Sequence, residues 1–413
     1  MEVNRAPCTT RSFGHGFAEV DACVHCGLCT QSCPTYLLTG RESMSPRGRL
    51  WTMRALGEGR LQATEAVLAD LDACLVCRAC ESACPSSVRY GAVIAAVRAG
   101  TRRRSFVRRT LFALLPRRGL LQTFASCLRL WQRSPLRPLR ALLPPGLRRM
   151  EAALPEVPSA AARAALPRFT AARGERLGAT ALLEGCVMSV LFQDVNRDTV
   201  TLLAAAGFDV HVPPAQTCCG ALHEHDGDLN GAHALLQRNA IAFESVPEAV
   251  LVMNSSGCGT AFRDAERSIG APGATLTRRS VDVTRFLLEH GERLAFRPHQ
   301  GVVTLDAPCH LHHAQGETTA PLALLARVPG LALVPMKDAE LCCGSAGVYN
   351  LDHPELAEAT LAGKLDHLAA TGATTLLTGN PGCILQWRAG VRARGLAVEV
   401  LHPVTFLARL LHT

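Results

Sequence analysis

The sequence predicts a multidomain protein of the α+β and α/β classes, in which an N-terminal α-helical domain precedes two repeated small α/β domains. Three observations predict this fold. Two short-spaced cysteine runs near the N-terminus enclose residues with helical periodicity, and β-rich runs that end at a cysteine recur after residue 177. In addition, 413 residues with 48% hydrophobic content suffice for more than one buried core. The expected units are 1–97, 98–176, 177–292 and 293–413.

The cysteine content indicates a reducing environment. The 18 cysteines fall into short-spaced clusters beside glycine and proline, which in a large chain favours metal ligation over a disulfide framework. Residues 1–20 lack the basic start and apolar core of a secretory signal, so we expect a cytoplasmic protein. No stretch reaches the roughly 18 apolar residues of a bilayer-spanning helix. Any association with the inner face of the cell membrane is therefore expected to be peripheral.

The first unit, residues 1–97, contains the pattern C-x2-C-x2-C-x3-C-P twice. The first copy comprises Cys23, Cys26, Cys29 and Cys33, and the second comprises Cys74, Cys77, Cys80 and Cys84. A loop with this spacing directs three thiolates towards one iron-sulfur cube, while the next turn carries the fourth cysteine away. We therefore predict two [4Fe-4S] clusters with exchanged fourth ligands. The ligand sets are Cys23, Cys26, Cys29 and Cys84 for one cluster, and Cys74, Cys77, Cys80 and Cys33 for the other.

Structural zinc is the main alternative for these eight cysteines. Zinc usually takes its ligands as two separated pairs and has no use for a third cysteine three residues further on. The spacing therefore favours clusters. Between the two runs, apolar residues recur at three- and four-residue steps, which predicts helices and a helical cluster-binding domain. These residues are Leu50, Met53 and Leu56, followed by Val67, Leu68 and Leu71.

The second unit, residues 98–176, is a basic connector. Residues 98–149 contain fourteen arginines and no acidic residue, so the rest of the chain, with the net charge of +8 less 14, carries −6. Its prolines predict short helices interrupted by turns. Leucine, phenylalanine and tryptophan interleave with the arginines, which favours an amphipathic surface helix and a partner subunit or membrane surface as its target over nucleic acid.

From residue 177 onward the chain repeats itself at a nearly constant offset. Cys186 and Cys309 are 123 residues apart, Cys218 and Cys342 are 124 apart, and Cys258 and Cys383 are 125 apart. In each repeat, β-rich runs end at a cysteine and lead into helical patterns, which predicts small parallel α/β units. Because sites in such sheets gather at the carboxyl ends of strands, we expect these cysteines to lie there.

Each repeat contains four thiols in the order Cys, Cys-Cys-Gly, Cys. They are Cys186, Cys218, Cys219 and Cys258 in the first repeat, and Cys309, Cys342, Cys343 and Cys383 in the second. Adjacent cysteines in a turn can present two sulfurs to one site, and the following glycine allows a close backbone approach. A further iron-sulfur cluster, a metal or a thiol-redox site in a repeat is one reading. Inert buried cysteines, or a site in one repeat only, are the other.

Other residues offer weaker signals. His310, His312 and His313 follow Cys309 and are weak candidates for a metal shell, since histidines after a strand are more often solvated. Cys8 and Cys127 belong to no pattern and are expected to be plain thiols. No dinucleotide fingerprint, phosphate loop or serine-histidine-aspartate pattern is visible. The sequence therefore assigns no catalytic residue to this chain, and substrate chemistry is expected on a partner.

The chain resembles the iron-sulfur subunit of bacterial glycolate oxidase, also called glycolate dehydrogenase, over almost its whole length. The matching pieces, in matching order and spacing, are ACVHCGLCTQSCPTYLLTG, SPRGRL, LDACLVCRACESACPSSVRY, LLEGC, CCGA, SSGCG, PCHLHHAQ and LCCGSAGVYNL. The resemblance implies a two-cluster ferredoxin domain followed by two cysteine-rich CCG domains similar to those of heterodisulfide reductase. In many CCG domains another cysteine follows the last one after two residues. Here Ala261 and Gln386 occupy those positions, which weakens the expectation of the unusual cluster known from some of these domains.

The resemblance further implies a hetero-oligomeric complex. Flavin-binding subunits carrying FAD would oxidise glycolate to glyoxylate, and this chain would pass electrons towards a membrane quinone or another acceptor. Three alternatives stay open. They are the equivalent subunit of a lactate or anaerobic glycerol-3-phosphate dehydrogenase, a CCG-type thiol-disulfide reductase that uses the Cys-Cys pairs, and a basic iron-sulfur protein that binds nucleic acid.

Overall fold

The computed structural model describes residues 15–102, 105–135 and 155–412, so Cys8 lies outside the described part of the chain. The N-terminal unit is built from helices and loops, which confirms the helical prediction. Its α-helices are α1 (Pro34–Thr39), α2 (Pro46–Gly57), α3 (Glu65–Asp72), α4 (Ala79–Ser82) and α5 (Tyr90–Thr101). Short 3-10 helices span His15–Ala22, Leu28–Thr30 and Glu42–Met44.

Local sequence signals define where α2 and α3 begin. The Ser45 side chain accepts a hydrogen bond from the backbone N–H of Gly48, and Pro46 occupies the first turn, where an N–H would have no helical partner. Thr64 caps α3 in the same way. The apolar faces of α2, α3 and α5 then meet in one core. Its buried members include Leu50, Met53, Leu56, Leu71, Val93, Ile94 and Val97.

The described part of the connector contains two helices, α6 (Phe106–Leu114) and α7 (Arg118–Arg133). They are separated by a short turn that includes Pro116, as expected for helices interrupted by proline. α7 lies against the first repeat, where Ala125 is buried with Val157 and Val190. The connector thus joins the helical domain to the first repeat and covers part of it.

The first repeat contains a five-stranded sheet. Its strands are β1 (Phe169–Thr170), β2 (Gly178–Leu182), β3 (Phe208–His211), β4 (Val250–Met253) and β5 (Ser280–Asp282), in the order β1-β3-β2-β4-β5. β1 precedes the predicted boundary at residue 177 and pairs antiparallel with β3, whereas all other pairings are parallel. The helices are α8 (Cys186–Leu191), α9 (Gln193–Ala205), α10 (Ala221–His225), α11 (Leu229–Phe243), α12 (Ser256–Arg263), α13 (Ala265–Ile269), α14 (Ala271–Arg279) and α15 (Val283–His290).

The second repeat contains a four-stranded, wholly parallel sheet. Its strands are β6 (Val302–Leu305), β7 (Ala332–Leu333), β8 (Thr375–Leu377) and β9 (Glu399–Leu401), in the order β7-β6-β8-β9. The helices are a π-helix at His310–Ala314, then α16 (Ala320–Leu325), α17 (Tyr349–Asp352), α18 (Pro354–Thr371), α19 (Pro381–Ala393) and α20 (Pro403–Leu410). The prediction of two small parallel α/β units is confirmed.

The two repeats share one hydrophobic core, which runs from Leu182 and Val252 in the first sheet to Val303 and Trp387 in the second repeat. Such a shared core fixes the repeats against each other, because separating them would expose apolar surface to water. Within the residues described, no helix is both long and apolar enough to cross a bilayer.

The strands bring the repeat cysteines to one edge of each sheet. β2 and β4 in the first repeat, and β6 and β8 in the second, each end four to six residues before a cysteine of the repeated pattern. Because parallel strands present their carboxyl ends at the same edge, the loops that follow converge there. The expected placement of Cys186, Cys258, Cys309 and Cys383 is therefore confirmed.

Candidate metal centre

The two N-terminal cysteine runs fold into loops with matching backbone conformations. His25 and Val76, at equivalent positions, have φ of 56° and 52°, and Gly27 and Arg78 have φ of 85° and 63°. A positive φ is uncommon outside glycine and is an outlier for a β-branched residue such as Val76. The same two left-handed positions in each loop wind the chain tightly, so that three cysteines at this spacing line one cavity.

The cavity of the first loop, which we term the outer pocket, also borders Pro46, Leu50 and Tyr90 of the helical domain. It is lined by Cys23, Cys26 and Cys29 of the first run and by Cys84 of the second. Cys26 is exposed, and the other three side chains are half-buried. The structure therefore brings together the first predicted set of four cysteines.

The cavity of the second loop, which we term the inner pocket, also borders Pro34, Thr35 and Tyr90. It is lined by Cys74, Cys77 and Cys80 of the second run and by Cys33 of the first. Cys80 also borders the outer pocket, so the two pockets are neighbours. Three of the four inner cysteines are buried, in contrast to the outer set. The exchange of fourth cysteines that the spacing predicts is present in the geometry.

The pockets fit a cluster better than a single ion. Within the described ranges, no three His, Cys, Asp or Glu side chains converge as the ligands of one metal ion would. A cubane cluster instead holds its four thiolates around a larger body. Burial raises the pKa of Cys77 and Cys80 well above the ordinary thiol value, and the neighbouring Cys309 raises that of Cys77 further. Bound metal deprotonates a coordinating thiol, which removes this penalty.

Arg49 provides an independent sign of an anionic group in the inner pocket. Its side chain lines the pocket and is 1% exposed. The guanidinium donates to the backbone oxygen of Asp70 at 2.7 Å and to Thr35 Oγ1 at 3.0 Å. Its Nη2 has no hydrogen-bond partner among the described residues. A buried cationic donor without an acceptor is costly unless an anion faces it, and a cluster with four thiolate ligands is such an anion.

The inner pocket lies against the second repeat. Cys77 shares an apolar cluster with Cys342 and Tyr349, and Leu75 in the same cluster lines both the inner pocket and the cavity between the repeats. The Tyr349 hydroxyl donates to the backbone oxygen of Ala73 at 3.1 Å. The second run of cysteines is thus held by direct contacts with the duplicated region.

Two of the candidate histidines are interface residues. His310 is buried, and its Nε2–H donates to the backbone oxygen of Val76 at 3.0 Å. His313 Nδ1 pairs with Ser82 Oγ at 2.8 Å, and its Nε2 with the oxygen of Glu340 at 3.1 Å. The expectation of solvated histidines is therefore wrong for these two. Packing of the helical domain on the second repeat, which sequence spacing does not report, accounts for the difference.

The repeat cysteines form two quartets that face one cavity. The cavity has a volume of about 180 Å³, and all eight cysteines line it. They are Cys186, Cys218, Cys219 and Cys258 on one side, and Cys309, Cys342, Cys343 and Cys383 on the other. The Cys186 and Cys218 sulfurs are 3.4 Å apart. Each quartet stays within its own repeat, so the repeats do not exchange cysteines as the N-terminal runs do.

Each Cys-Cys pair turns at a glycine that no other residue can replace without strain. Gly220 and Gly344 have φ of 90° and 86°. A Cβ at Gly220 would lie 3.0 Å from the backbone oxygen of Ala232, and one at Gly344 would lie 2.5 Å from that of Ala357. The close backbone approach predicted for these glycines is therefore present, and it seats both sulfurs of each pair at the cavity wall.

Buried charges near the quartets differ between the repeats. In the second repeat, Lys364 pairs with Asp306 at 2.8 Å, and both side chains are almost fully buried. Burial lowers the pKa of Lys364, but the Asp306 carboxylate outweighs burial and raises it above its ordinary value. In the first repeat, the buried Glu184 pairs with Arg118 of α7, which is 40% exposed. The connector thus supplies the cation that the second repeat supplies from its own helix.

The thiols in each quartet are unequal. In the first repeat, hydrogen bonds from the Cys186 and Cys219 thiols hold the pKa of Cys218 well below its ordinary range. In the second repeat, bonds from Cys342 and Cys383, with a smaller contribution from Lys364, do the same for Cys343. In each Cys-Cys pair the pKa of one thiol is therefore lowered and that of its neighbour is raised.

Arg49, Lys364 and Asp306 are buried charged residues near the cysteine sites that pattern reasoning on cysteines missed. Arg49 lies in SPRGRL, one of the segments that carry the resemblance, so a signal was present without a role attached to it. Lys364 has no local signal, because it reaches Asp306 only through the packing of α18 on the end of β6. Cys127, by contrast, is exposed on α7 and joins no cluster, as expected for a plain thiol.

Comparison with protein families assigns domains to the same regions. Residues 19–88 match the model of a 4Fe-4S dicluster domain. Residues 180–263 and 303–388 each match the CCG cysteine-rich domain. The dicluster match implies two [4Fe-4S] clusters in the N-terminal domain, and each CCG match covers the central strands of one of the two sheets.

Similar proteins cover nearly the whole chain. A probable glycolate oxidase iron-sulfur subunit from Bacillus subtilis is 35% identical over 406 residues, which covers 92% of this chain and 91% of that protein. The glycolate oxidase iron-sulfur subunit from Escherichia coli is 33% identical over 380 residues, 88% of each chain. Lactate utilization protein A from Oceanobacillus iheyensis is 29% identical over 229 residues, which covers 54% of this chain and 93% of that protein.

Proposed function

The chain belongs to the glycolate oxidase iron-sulfur subunit family, and from that premise we propose that it is the electron-transfer subunit of a flavin-dependent complex that oxidises glycolate to glyoxylate. The substrate chemistry takes place on a partner subunit that binds FAD. This chain contributes no catalytic residue and passes the electrons to a downstream acceptor. Electron transfer in such a subunit requires cofactors spaced along a continuous path.

The observation that carries the proposal is the pair of crossed pockets with unequal surroundings. The outer pocket opens to solvent at Cys26, whereas the inner pocket is buried and borders the duplicated region through Cys77 and Leu75. Cys80 borders both pockets. A chain of sites that starts at the surface and ends inside the protein is the arrangement expected of an electron relay.

The residues that would hold the clusters follow from the pockets. Bound clusters each take up and release one electron at a time. Cys23, Cys26, Cys29 and Cys84 would hold the outer cluster, and Cys33, Cys74, Cys77 and Cys80 would hold the inner one. Arg49, which lines the inner pocket, would place positive charge beside that cluster and so favour its more negative, reduced form. His310 and Tyr349 fix the backbone of the inner loop from the second repeat.

The flavin-binding subunit docks at the outer pocket. Val24 and Leu28, which flank the exposed Cys26, are 69% and 60% exposed, and Trp51 is also exposed. Large apolar side chains that surround an open redox site are typical of an interface. The partner would cover these side chains and exclude water from the outer cluster.

We propose glycolate over lactate as the substrate of the complex because the glycolate oxidase subunits match more of this chain. The two glycolate oxidase subunits align over about nine-tenths of both chains, whereas the lactate utilization protein covers only 54% of this chain. A lactate or glycerol-3-phosphate dehydrogenase subunit is the alternative within the same architecture. The flavin subunit decides between them, since the substrate binds there.

Anaerobic co-expression with the flavin-binding subunit tests the proposal. Glycolate added to the purified complex should bleach the visible absorption of both clusters and produce glyoxylate, whereas lactate should reduce them far more slowly. Cys26→Ser should block reduction of the inner cluster by substrate while leaving its reduction by dithionite intact. Rapid reduction of the isolated chain by glycolate without any flavin subunit would contradict the proposal.

A thiol-disulfide reductase is the second candidate, and the cavity between the repeats favours it. Eight cysteines line that cavity, and Cys218 and Cys343 have pKa values held below the ordinary thiol range. This reading requires the isolated chain, reduced by dithionite, to turn over a small disulfide. A Cys218→Ser variant should then lose that turnover, and its absence in the unaltered chain rejects the candidate.

A further inference from the structure

Helix α7 (Arg118–Arg133) packs on the first repeat through both apolar and polar side chains, since Leu121, Ala125 and Leu128 lie against Val157 and Val190. Gln122 Nε2 donates to the backbone oxygen of Ser189 at 3.1 Å, and Gln132 Nε2 donates to that of Pro155 at 2.8 Å. Arg129 donates to the backbone oxygen of Val157. These polar side chains therefore form hydrogen bonds with the first repeat and with the segment that precedes it.

The opposite side of α7 is apolar and faces outward. Leu120 and Phe124 are each about half exposed, at 49% and 48%, and Leu130 is 72% exposed. The exposed Cys127 lies between them on the same helical stripe. A surface helix of a globular protein normally buries its apolar stripe. On α7 some leucines are packed against the first repeat, but the described residues leave Leu120, Phe124 and Leu130 uncovered.

The apolar stripe is flanked by positive charge. Arg117 and Arg133 are exposed at the two ends of α7, and Arg109 is exposed on the neighbouring α6, where Phe106 is exposed as well. The stretch from residue 98 to residue 149 contains fourteen arginines and no acidic residue. Arginines at the rim with leucine and phenylalanine between them form the pattern of a helix that lies in a membrane interface.

We propose that the outward face of α7, formed by Leu120, Phe124 and Leu130 and flanked by Arg109, Arg117 and Arg133, docks on a membrane surface rich in anionic lipid. The apolar side chains enter the boundary between headgroups and acyl chains, and the guanidinium groups contact lipid phosphates. A convex helix with separate protruding side chains suits a lipid surface better than a protein partner, which usually recognises such side chains in a matching groove. The docking does not depend on the proposed electron transfer.

Vesicle flotation of the full-length, cluster-loaded chain tests the proposal. The chain should float with vesicles of phosphatidylcholine and phosphatidylglycerol but not with phosphatidylcholine alone, and added salt should reduce the bound fraction. The double variant Phe124→Ser with Leu130→Ser should lower binding at least about tenfold, because both apolar anchors are lost. The variant Arg117→Gln with Arg133→Gln should bind only at low salt.

Ile241→Ser provides the matched control, since Ile241 is 67% exposed and belongs to α11 of the first repeat, not to the connector. This variant should float as the unaltered chain does. Unchanged cluster absorption in every variant separates loss of docking from loss of folding or of clusters. The proposal is overturned if the unaltered chain fails to float with anionic vesicles. It is also overturned if Phe124→Ser instead dissolves a dimer seen by gel filtration, which would assign the face to a second copy.

Discussion

The N-terminal domain and the C-terminal region each contain a duplicated cysteine pattern, but they differ in which copy supplies the fourth cysteine of each site. In the N-terminal domain each run donates its fourth cysteine to the other pocket, so Cys84 lines the outer pocket and Cys33 the inner one. In the C-terminal region each repeat keeps its own four cysteines, and the quartets face each other across one cavity. The two N-terminal pockets depend on each other, whereas each repeat completes its own quartet.

Chain geometry explains the difference. A tight loop with two residues between cysteines can surround only three corners of a site, so the fourth ligand must come from elsewhere. A repeat of more than 100 residues instead has a sheet whose strand ends converge, and loops from several strands supply all four thiols. Short motifs therefore exchange their fourth cysteines, whereas a complete α/β unit supplies all four cysteines of its own quartet.

Serine substitutions at the last cysteine of an N-terminal run and of a repeat should give the largest difference between the two regions. Cys84→Ser should remove about four iron atoms per chain, because the outer cluster loses a ligand. Its remaining electron paramagnetic resonance signal should match that of Cys23→Ser and differ from that of Cys74→Ser. Cys383→Ser, the matched change in the second repeat, should leave both N-terminal signals intact. A Cys84→Ser spectrum identical to that of Cys74→Ser would show that the runs do not exchange ligands.

The buried charges sharpen the comparison between the repeats. Lys364→Met leaves the Asp306 carboxylate buried and unpaired, which should lower the free energy of unfolding by about 3–5 kcal/mol. Arg118→Gln, the matched change at Glu184, should cost only about 1 kcal/mol because Arg118 is partly solvated. Urea unfolding of the two variants measures the difference. Equal losses would mean that the two ion pairs are equivalent.

The glycines after the Cys-Cys pairs should respond in the same direction but to different extents. Alanine at either position strains the left-handed backbone by about 1–2 kcal/mol. At Gly344 the new Cβ would also lie 2.5 Å from the Ala357 oxygen, against 3.0 Å from Ala232 at Gly220. Gly344→Ala should therefore destabilise more, by about 3 kcal/mol in total. Gly372→Ala, where a Cβ meets no atom within 4 Å, should cost only the backbone strain in the same urea titration.

The smallest expected effect is a pH dependence of opposite sign at equivalent helix caps. His402 caps α20 by accepting from the Val404 N–H, and Asp282 caps α15 by accepting from the Thr284 N–H. Burial lowers the pKa of His402 to about 4 and raises that of Asp282 to about 6.

The unfolded chain therefore binds the His402 proton between about pH 6.5 and 4 while the folded chain does not, so stability falls as pH drops through this window. For Asp282 the folded chain holds the extra proton between about pH 3.8 and 6, so stability falls as pH rises. When the pH is lowered from 7 to 5, His402 should decrease the free energy of unfolding by about 2 kcal/mol, and His402→Asn should abolish this loss. Over the same change Asp282 should increase it by about 1 kcal/mol, and Asp282→Asn should abolish this gain. Urea unfolding at the two pH values checks both. A change of the same sign in both variants would contradict the assignment.

Much of this organisation follows from sequence because it is local or periodic. The helices around Leu50 and Leu71, the strands that end before Cys186 and Cys309, and the two N-terminal ligand sets all depend on spacing over a few residues. The contacts of His310 with the inner loop and of Lys364 with Asp306 bridge 234 and 58 positions along the chain, so no local pattern reports them. The outward apolar face of α7 was also hidden, because leucines lie on both the inward and the outward side of this helix and periodicity does not report which of them are covered.

Metal and sulfide analysis after anaerobic purification tests the central claim, that crossed cysteine sets hold two cubane clusters, most directly. The account predicts about eight iron and eight sulfide per chain, and up to about four more of each if one repeat is also loaded. It also predicts visible absorption that dithionite bleaches. A protein that contains zinc, lacks sulfide and has no visible absorption would contradict the account.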